Sequence, residues 1–228
     1  MNVFLLFIFF IILSLNKPLF MELDFRKLYV TKLFDFSKKD EELIFDIYDR
    51  LSEMYEITLI DIEESPYSKF KSQNIDFLEE AKLCYRVTTK SPAGTFYLFI
   101  VNLVGTSIRG ARMTDKYDSL EVWGLKEMNE DFGFISINRK NLADRIAGIF
   151  SNCNINYKQN KDFRDFYVLG SDSYKTIKFL NPERKEAIKS ISSKNFKIEV
   201  KNNIVGLRIV NALNIESPFI ISKILKEI

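Results

Sequence analysis

The chain has 228 residues, 46% hydrophobic and 28% charged, which is the balance of a globular rather than a disordered protein. Its 33 basic and 31 acidic residues leave a formal net charge of +2, too small for the basic field that nucleic-acid binding requires, so no nucleic-acid partner is expected. The sequence has no histidine, which excludes Ser-His-Asp and Cys-His nucleophile systems and histidine metal sites.

The first segment is an apolar run, Val3–Leu15, that carries no charged residue. A membrane-spanning helix needs about 20 apolar residues, so the run reaches that length only together with its flanks. It lacks the polar face that a helix at a domain surface needs, which favours a membrane anchor. Basic residues after a span are retained on the cytoplasmic side, so the rest of the chain is predicted to lie there; these residues are Lys17, Arg26, Lys27 and Lys32.

Two alternatives stay open for residues 1–21. A signal peptide would begin with basic residues and end in a small-residue cleavage site, and neither is visible in the sequence. Translation could instead begin at Met21, which would leave a cytoplasmic protein. The predicted organisation is a hydrophobic N-terminal segment at 1–21 and a single domain at 22–228, with a candidate seam near 151–162.

The clearest helix is predicted at Ser37–Tyr55, where one stripe of apolar residues recurs at helical spacing: Leu43, Ile44, Ile47, Tyr48, Leu51, Met54 and Tyr55. A short strand is predicted at Ile57–Ile62. Polar residues and a proline predict a loop at Glu63–Asn74. The pattern over Ile75–Lys82 is ambiguous and fits one or two helical turns.

Strand patterns dominate the middle of the chain. Leu83–Lys90 alternates as a half-buried strand does, and Ser91–Gly94 supplies a turn after it. Thr95–Val104 has apolar residues at both odd and even positions, which predicts a central strand or one covered on both faces. Two further strands are predicted at Leu120–Leu125 and Phe132–Asn138.

Helices and one strand follow. A short helix is predicted at Leu142–Phe150 and a strand at Phe163–Leu169. The turn Gly170–Ser173 leads into a helical run with the apolar residues Tyr174, Ile177 and Leu180. Asn181 as cap and Pro182 as first residue start another helix, whose inward-facing residues are predicted to be Ala187, Ile188 and Ile191.

A hairpin is predicted near the end of the chain, with strands Phe196–Lys201 and Ile204–Val210 around Asn202 and Asn203. Asparagine tolerates positive φ, which a two-residue type I′ turn needs at both central positions. This register places six apolar residues on one face: Phe196, Ile198, Val200, Val205, Leu207 and Ile209. A last helix is predicted from Ser217, with the stripe Ile220, Ile221, Ile224 and Ile228.

One stretch has the glycine spacing of a phosphate-binding loop, from Gly105 to Gly110. Ala111 and Arg112 stand where the lysine and the Ser or Thr belong, so neither the phosphates nor a magnesium ion would be held. We interpret the stretch as a loop at the exit of a strand.

Other candidates for chemistry have a simpler interpretation. Trp123, the only tryptophan, is expected at a core or rim position on a strand. Cys84 and Cys153 cannot form a zinc site alone, and two reduced structural thiols are favoured over one disulfide. Three carboxylate clusters lie among lysines and arginines and are interpreted as solvated surface: Asp61, Glu63 and Glu64; Asp115 and Asp118; and Asp162, Asp165 and Asp172. We therefore predict no catalytic residue, no cofactor and no metal ligand.

Several motifs of the second half together resemble an arrangement found in uncharacterised membrane-anchored bacterial proteins of unknown function. They are the alternating strand Phe134–Arg139, the Asp162–Asp172 stretch, Leu180–Glu183 and the terminal hairpin. The resemblance covers roughly residues 132–210. It implies attachment to a membrane and no activity that transfers to any residue of this chain.

The sequence predicts an α+β fold with one mainly antiparallel sheet of about six to eight strands and helices packed on it. The predicted function is a non-enzymatic binding or scaffold module, anchored in the membrane by its N-terminal segment, facing the cytoplasm and contacting a protein partner. The alternative is a histidine-independent enzyme that uses carboxylate or arginine chemistry in a cleft of the sheet.

Overall fold

The structure is a computed structural model that describes residues 36–71, 77–89, 94–109, 112–139 and 163–228. Its helices are α1 (Lys38–Ser52), α2 (Tyr67–Phe70), α3 (Ser173–Phe179), α4 (Pro182–Lys189) and α5 (Glu216–Glu227), with a 3-10 turn at Ile62–Glu64. Its strands are β1 (Glu56–Ile60), β2 (Phe77–Thr88), β3 (Thr95–Arg109), β4 (Arg112–Glu127), β5 (Phe134–Arg139), β6 (Phe166–Gly170), β7 (Phe196–Lys201) and β8 (Ile204–Ile209).

These eight strands form one sheet in the order β1-β2-β3-β4-β8-β7-β5-β6, and every neighbouring pair is antiparallel. The predicted α+β fold is therefore confirmed. The order is not sequential, because the β7–β8 hairpin lies between β4 and β5. Residues Lys38–Ile228 group as one compact unit, and the predicted seam near 151–162 lies outside the described residues.

One face of the sheet, here called the helix face, is covered by α1 and α5. Tyr48 of α1 contacts Tyr85 at a ring-centroid distance of 5.7 Å, and Tyr55, which follows α1, contacts Phe96 at 5.9 Å. Helix α5 packs on β3, β4 and β8. It approaches so closely at Gly124 that a Cβ there would lie 2.6 Å from Leu225 Cδ1. Glycine is therefore needed in β4 for α5 to pack.

The opposite face, here called the site face, is covered at β2–β4 by the segment that contains α2. Tyr67 and Phe70 of α2 belong to an apolar cluster with residues of four strands: Ala81, Cys84, Phe99, Val101, Leu103, Trp123, Leu125 and Ile204. Strand β3 is consequently buried on both faces between Phe96 and Leu103, as the continuous apolar run predicts.

The terminal hairpin is confirmed in its register. Lys201 pairs with Ile204, and all six apolar residues assigned to one face are buried. The turn is different from the prediction, because among the described non-glycine residues only Asn202 has a positive φ, of 56°. A positive φ at the first central position alone is the pattern of a type II′ turn, not type I′.

Four local predictions are wrong. From Phe77 to Lys82 the chain is part of strand β2 and not a helical turn, and the predicted loop Glu63–Asn74 contains α2. Gly105 lies within β3, which continues to Arg109, so no strand-exit loop starts there. The strand predicted from Phe163 begins at Phe166. In the three cases that concern strands, the pairing partner along the sheet, which local spacing does not reveal, decides where the strand runs.

The helix after Asp172 also differs from its sequence pattern. Asp172 caps α3 by accepting a hydrogen bond from the backbone nitrogen of Lys175. Leu180 is buried as the pattern suggests, but Tyr174 and Ile177 are exposed by 76% and 58%, and Thr176 and Phe179 face the core in their place. Asn181 caps α4 as predicted, and Ala187, Ile188 and Ile191 are buried.

Among the described residues, no helix has both the length and the apolar character needed to cross a membrane. The apolar run Val3–Leu15 and the predicted helix Leu142–Phe150 lie outside those residues, as does the predicted turn at Ser91–Ala93.

Candidate functional site

Three neighbouring strands place an aromatic residue and two cations side by side on the site face. Trp123 of β4 is directly opposite Arg208 of β8, and Arg208 is directly opposite Lys197 of β7. Because side chains alternate along each strand, all three point to the same face. This row, Trp123–Arg208–Lys197, is the candidate site.

The guanidinium of Arg208 is held against the indole ring of Trp123, with its Cζ 5.3 Å from the ring centroid. The indole nitrogen donates a hydrogen bond to Glu121 Oε2 at 3.1 Å, which fixes the plane of the ring. Arg208 Nε is buried and has no hydrogen-bond partner. A buried N–H donor without a partner is costly, so a ligand that offers an acceptor to this nitrogen would be stabilised there.

Lys197 forms an ion pair with Glu199 at 2.8 Å, two residues along the same strand. The two side chains are 36% and 24% exposed, so solvent and ligands reach them. Glu199 thus neutralises Lys197, while Arg208 has no ion pair of its own among the described residues.

One wall of the site is the aromatic ring of Phe70. It lies over Gly206, and Lys201 holds it there: the ammonium donates to the carbonyl of Phe70 at 2.6 Å and lies 4.6 Å from the ring centroid. Phe70, Trp123, Lys197, Glu199 and Arg208 together line a cavity of about 20 Å³. That volume accommodates about one water molecule or one small polar group.

Two buried carboxyl groups lie next to the row on the site face. Glu121 is 5% and Glu79 is 9% exposed. Burial raises the pKa of Glu121, while the hydrogen bond from Trp123 and the charge of Arg208 act in the opposite direction. Glu79 Oε2 has no hydrogen-bond partner. The site therefore combines a guanidinium with a carboxyl group that burial pushes toward its neutral form.

The residues singled out from the sequence are mostly elsewhere. Trp123 is a buried strand residue, as expected, and it also forms part of the row. Asp61, Glu63, Glu64, Asp165 and Asp172 are exposed. Cys84 is a buried free thiol whose pKa is raised by burial to about 12. The side chains of Asp115 and Asp118, and all of Asp162 and Cys153, lie outside the described part of the chain.

The described residues contain no group of three or more Asp, Glu or Cys side chains placed to hold a metal ion. The prediction that the protein contains no structural zinc stays a prediction, which metal analysis of the purified full chain tests.

Sequence reasoning missed Arg208, Lys197 and Glu121 as site residues. A signal for two of them was present, because the predicted hairpin register pairs position 197 with position 208. Two cations directly opposite each other in an antiparallel pair repel, so this pairing is unusual unless another group compensates it. The contribution of Trp123 and Glu121 was hidden, since nothing local indicates that β4 lies beside β8.

No family model, no curated protein and no solved structure matches this chain. The resemblance over residues 132–210 therefore stays a prediction.

Proposed function

We propose that this protein is a non-enzymatic binding module, held at the cytoplasmic side of a membrane by residues 1–21, which binds a protein partner on the site face of its sheet. The observation that carries the proposal is Arg208, a cation with an unfilled hydrogen-bond donor that lines a cavity of about 20 Å³. Pockets that enclose small-molecule substrates are typically about 300–1,000 Å³. A cavity this small favours docking of a single group that projects from a larger partner.

The composition of the row supports the same conclusion. Tryptophan and arginine are enriched among the residues that dominate binding energy at protein interfaces. The side chains beside them are half-buried, including Lys197, Glu199 and, further along the same row, Tyr167. The uncharged run Val3–Leu15 with its basic flank supports the membrane attachment.

Site-specific photo-crosslinking of the full chain in its native membrane tests the proposal. Benzoylphenylalanine replaces Tyr167, which lies on the site face, or Tyr174, which is exposed on α3 and serves as the matched control. We expect a protein adduct from position 167 that Arg208→Gln weakens, and none from position 174. Adducts from position 174 alone, or from neither position, would contradict the proposal.

The alternative function is an enzyme in which Glu121 donates a proton and Arg208 stabilises the negative charge of a substrate. The specific observation in its favour is the raised pKa of Glu121, a carboxyl group next to a guanidinium. Against it, Glu121 is 5% exposed and its Oε2 accepts a hydrogen bond from Trp123. The crosslinking experiment discriminates between the two, because only the binding module predicts a protein adduct at position 167 that Arg208→Gln weakens.

A further inference from the structure

We propose that Arg208, with Lys197, binds one carboxylate group of the partner, such as an aspartate or glutamate side chain. This inference rests on the proposed binding function and adds the chemistry of the ligand. It is carried by the register of the strands, the hydrogen bonding of Arg208, the local charge and the size of the cavity.

The register places two cations directly opposite each other. Arg208 of β8 pairs with Lys197 of β7. Like charges at directly opposed positions destabilise an antiparallel pair. Glu199 relieves this only at Lys197, to which it is bound at 2.8 Å. An anion beside Arg208 would compensate the second cation.

The guanidinium is positioned before any ligand arrives. Trp123 holds it at 5.3 Å, and Glu121 in turn holds the indole through its hydrogen bond. A guanidinium on an aromatic ring keeps its N–H edges free, and its planar fork matches the two oxygens of a carboxylate. Because Arg208 Nε has no partner, its N–H group can donate a hydrogen bond to such a ligand.

The local charge favours a monoanion. Lys197 and Glu199 neutralise each other, which leaves the single charge of Arg208. Two buried carboxyl groups, Glu121 and Glu79, also lie beside the row, and the charge of Arg208 opposes the rise that burial causes in the pKa of Glu121. Acidic groups so close to Arg208 oppose a doubly charged phosphate more strongly than a singly charged carboxylate. The cavity of about 20 Å³ also limits the ligand to one small group, with the rest of the partner outside it.

Trp123 makes the site directly observable, since it is the only tryptophan of the chain and touches Arg208. The detergent-solubilised full chain is titrated with acetylglutamic acid amide at constant ionic strength while tryptophan fluorescence is recorded. Acetylglutamine amide is the neutral control, and inorganic phosphate is the competing anion. We expect a saturable change with the glutamate compound, none with the glutamine compound and weaker binding of phosphate.

Variants then assign the response to the row. Arg208→Gln is expected to weaken binding by at least about tenfold, and Arg208→Lys to recover part of it, because lysine keeps the charge but loses the fork. Lys223→Gln removes a cation from the exposed side of α5 and is expected to change nothing. If Arg208→Gln does not fold, Arg208→Lys and Lys197→Gln carry the test.

Three outcomes would overturn the inference: equal affinity in wild type and the Arg208 variants, a response to the glutamine compound, or tighter binding of phosphate than of the carboxylate. Its failure is distinguishable from failure of the proposed function. An adduct at position 167 without a carboxylate response removes only the inference. Absence of a protein adduct at position 167 when Arg208 is intact removes the proposed function itself.

Discussion

The ring of Phe70 occupies the space above Gly206 that any other residue would fill with its side chain. A Cβ at position 206 would lie 2.6 Å from Cε1 of that ring. The contact joins α2 to β8 across the site face, and Lys201 reinforces it from the neighbouring strand. The absence of a side chain at one position thus allows α2 to form a wall of the candidate site.

Gly206→Ala is expected to destabilise the protein by about 1–3 kcal/mol, because the added methyl group overpacks a filled contact. Position 206 needs no positive φ, so backbone strain does not contribute to this cost. Urea unfolding followed by Trp123 fluorescence measures the change. Phe70→Leu in the Gly206→Ala background is expected to recover part of the loss, and a double variant no more stable than Gly206→Ala alone would contradict the assigned contact.

Leu207→Ala is expected to lower the free energy of unfolding by about 2–5 kcal/mol, since it leaves a cavity in the core. Leu207 is 1% exposed and pairs with Ile198 on the helix face. The same urea experiment measures the loss. Val210→Ala, at a position that is 43% exposed, is the matched control and should cost much less. Similar losses in both variants would show that the hairpin does not bury this face.

Glu121 is expected to make stability depend on pH. Burial raises the pKa of its carboxyl group above the ordinary 4.5, so the folded state binds more protons than the unfolded state over the interval between those two values. Stability contributed by this group is therefore present at lower pH and is lost as the pH rises through that interval. The Glu121→Gln variant should lack this pH-dependent loss. Its free energy of unfolding should therefore rise relative to that of wild type between pH 4 and about pH 7.

Chemical unfolding at a series of pH values measures that difference between Glu121→Gln and wild type. Glu53→Gln, an exposed position on the loop after α1, is the control for the loss of one acidic side chain. A constant difference between the Glu121 variant and wild type across the range would show that Glu121 is equally protonated in the folded and unfolded states.

Cys84 is expected to resist thiol reagents in the native protein. Its pKa is raised by burial to about 12, so almost no thiolate is present near pH 8, and the side chain is 1% exposed. With Cys153→Ser as background, Ellman's reagent should label Cys84 only after unfolding. Stoichiometric labelling of the folded protein within minutes would contradict the burial of this strand.

The N-terminal segment is expected to place the full chain in the membrane fraction, because Val3–Leu15 has no charge to oppose its transfer into hydrocarbon. Release should require detergent and should not follow a high-salt wash. A chain that starts at Met21 is expected to be soluble and folded. Recovery of the full chain in the soluble fraction without detergent would exclude the anchor and leave a start at Met21, removal of the segment or its burial in the domain.

The sequence alone determined those elements whose stabilising contacts join residues that are close together in the chain. The β7–β8 hairpin is the clearest case, since a two-residue turn and the alternation of Phe196, Ile198 and Val200 permit one register that buries the apolar face. Helices α1 and α4 follow from an apolar stripe and from the Asn181 cap in the same way. The α+β class also follows, because alternating strands outnumber helical stripes.

Only the tertiary structure decided where the strands lie relative to one another, and with that the site. Trp123 and Arg208 are 85 positions apart in sequence. They become neighbours because β8 pairs with β4. Pairing of β2 with β3 likewise extends β2 back to Phe77 and makes Gly105, predicted as a loop residue, part of a strand. Non-local pairing depends on which surfaces bury one another, and local spacing carries no information on that choice.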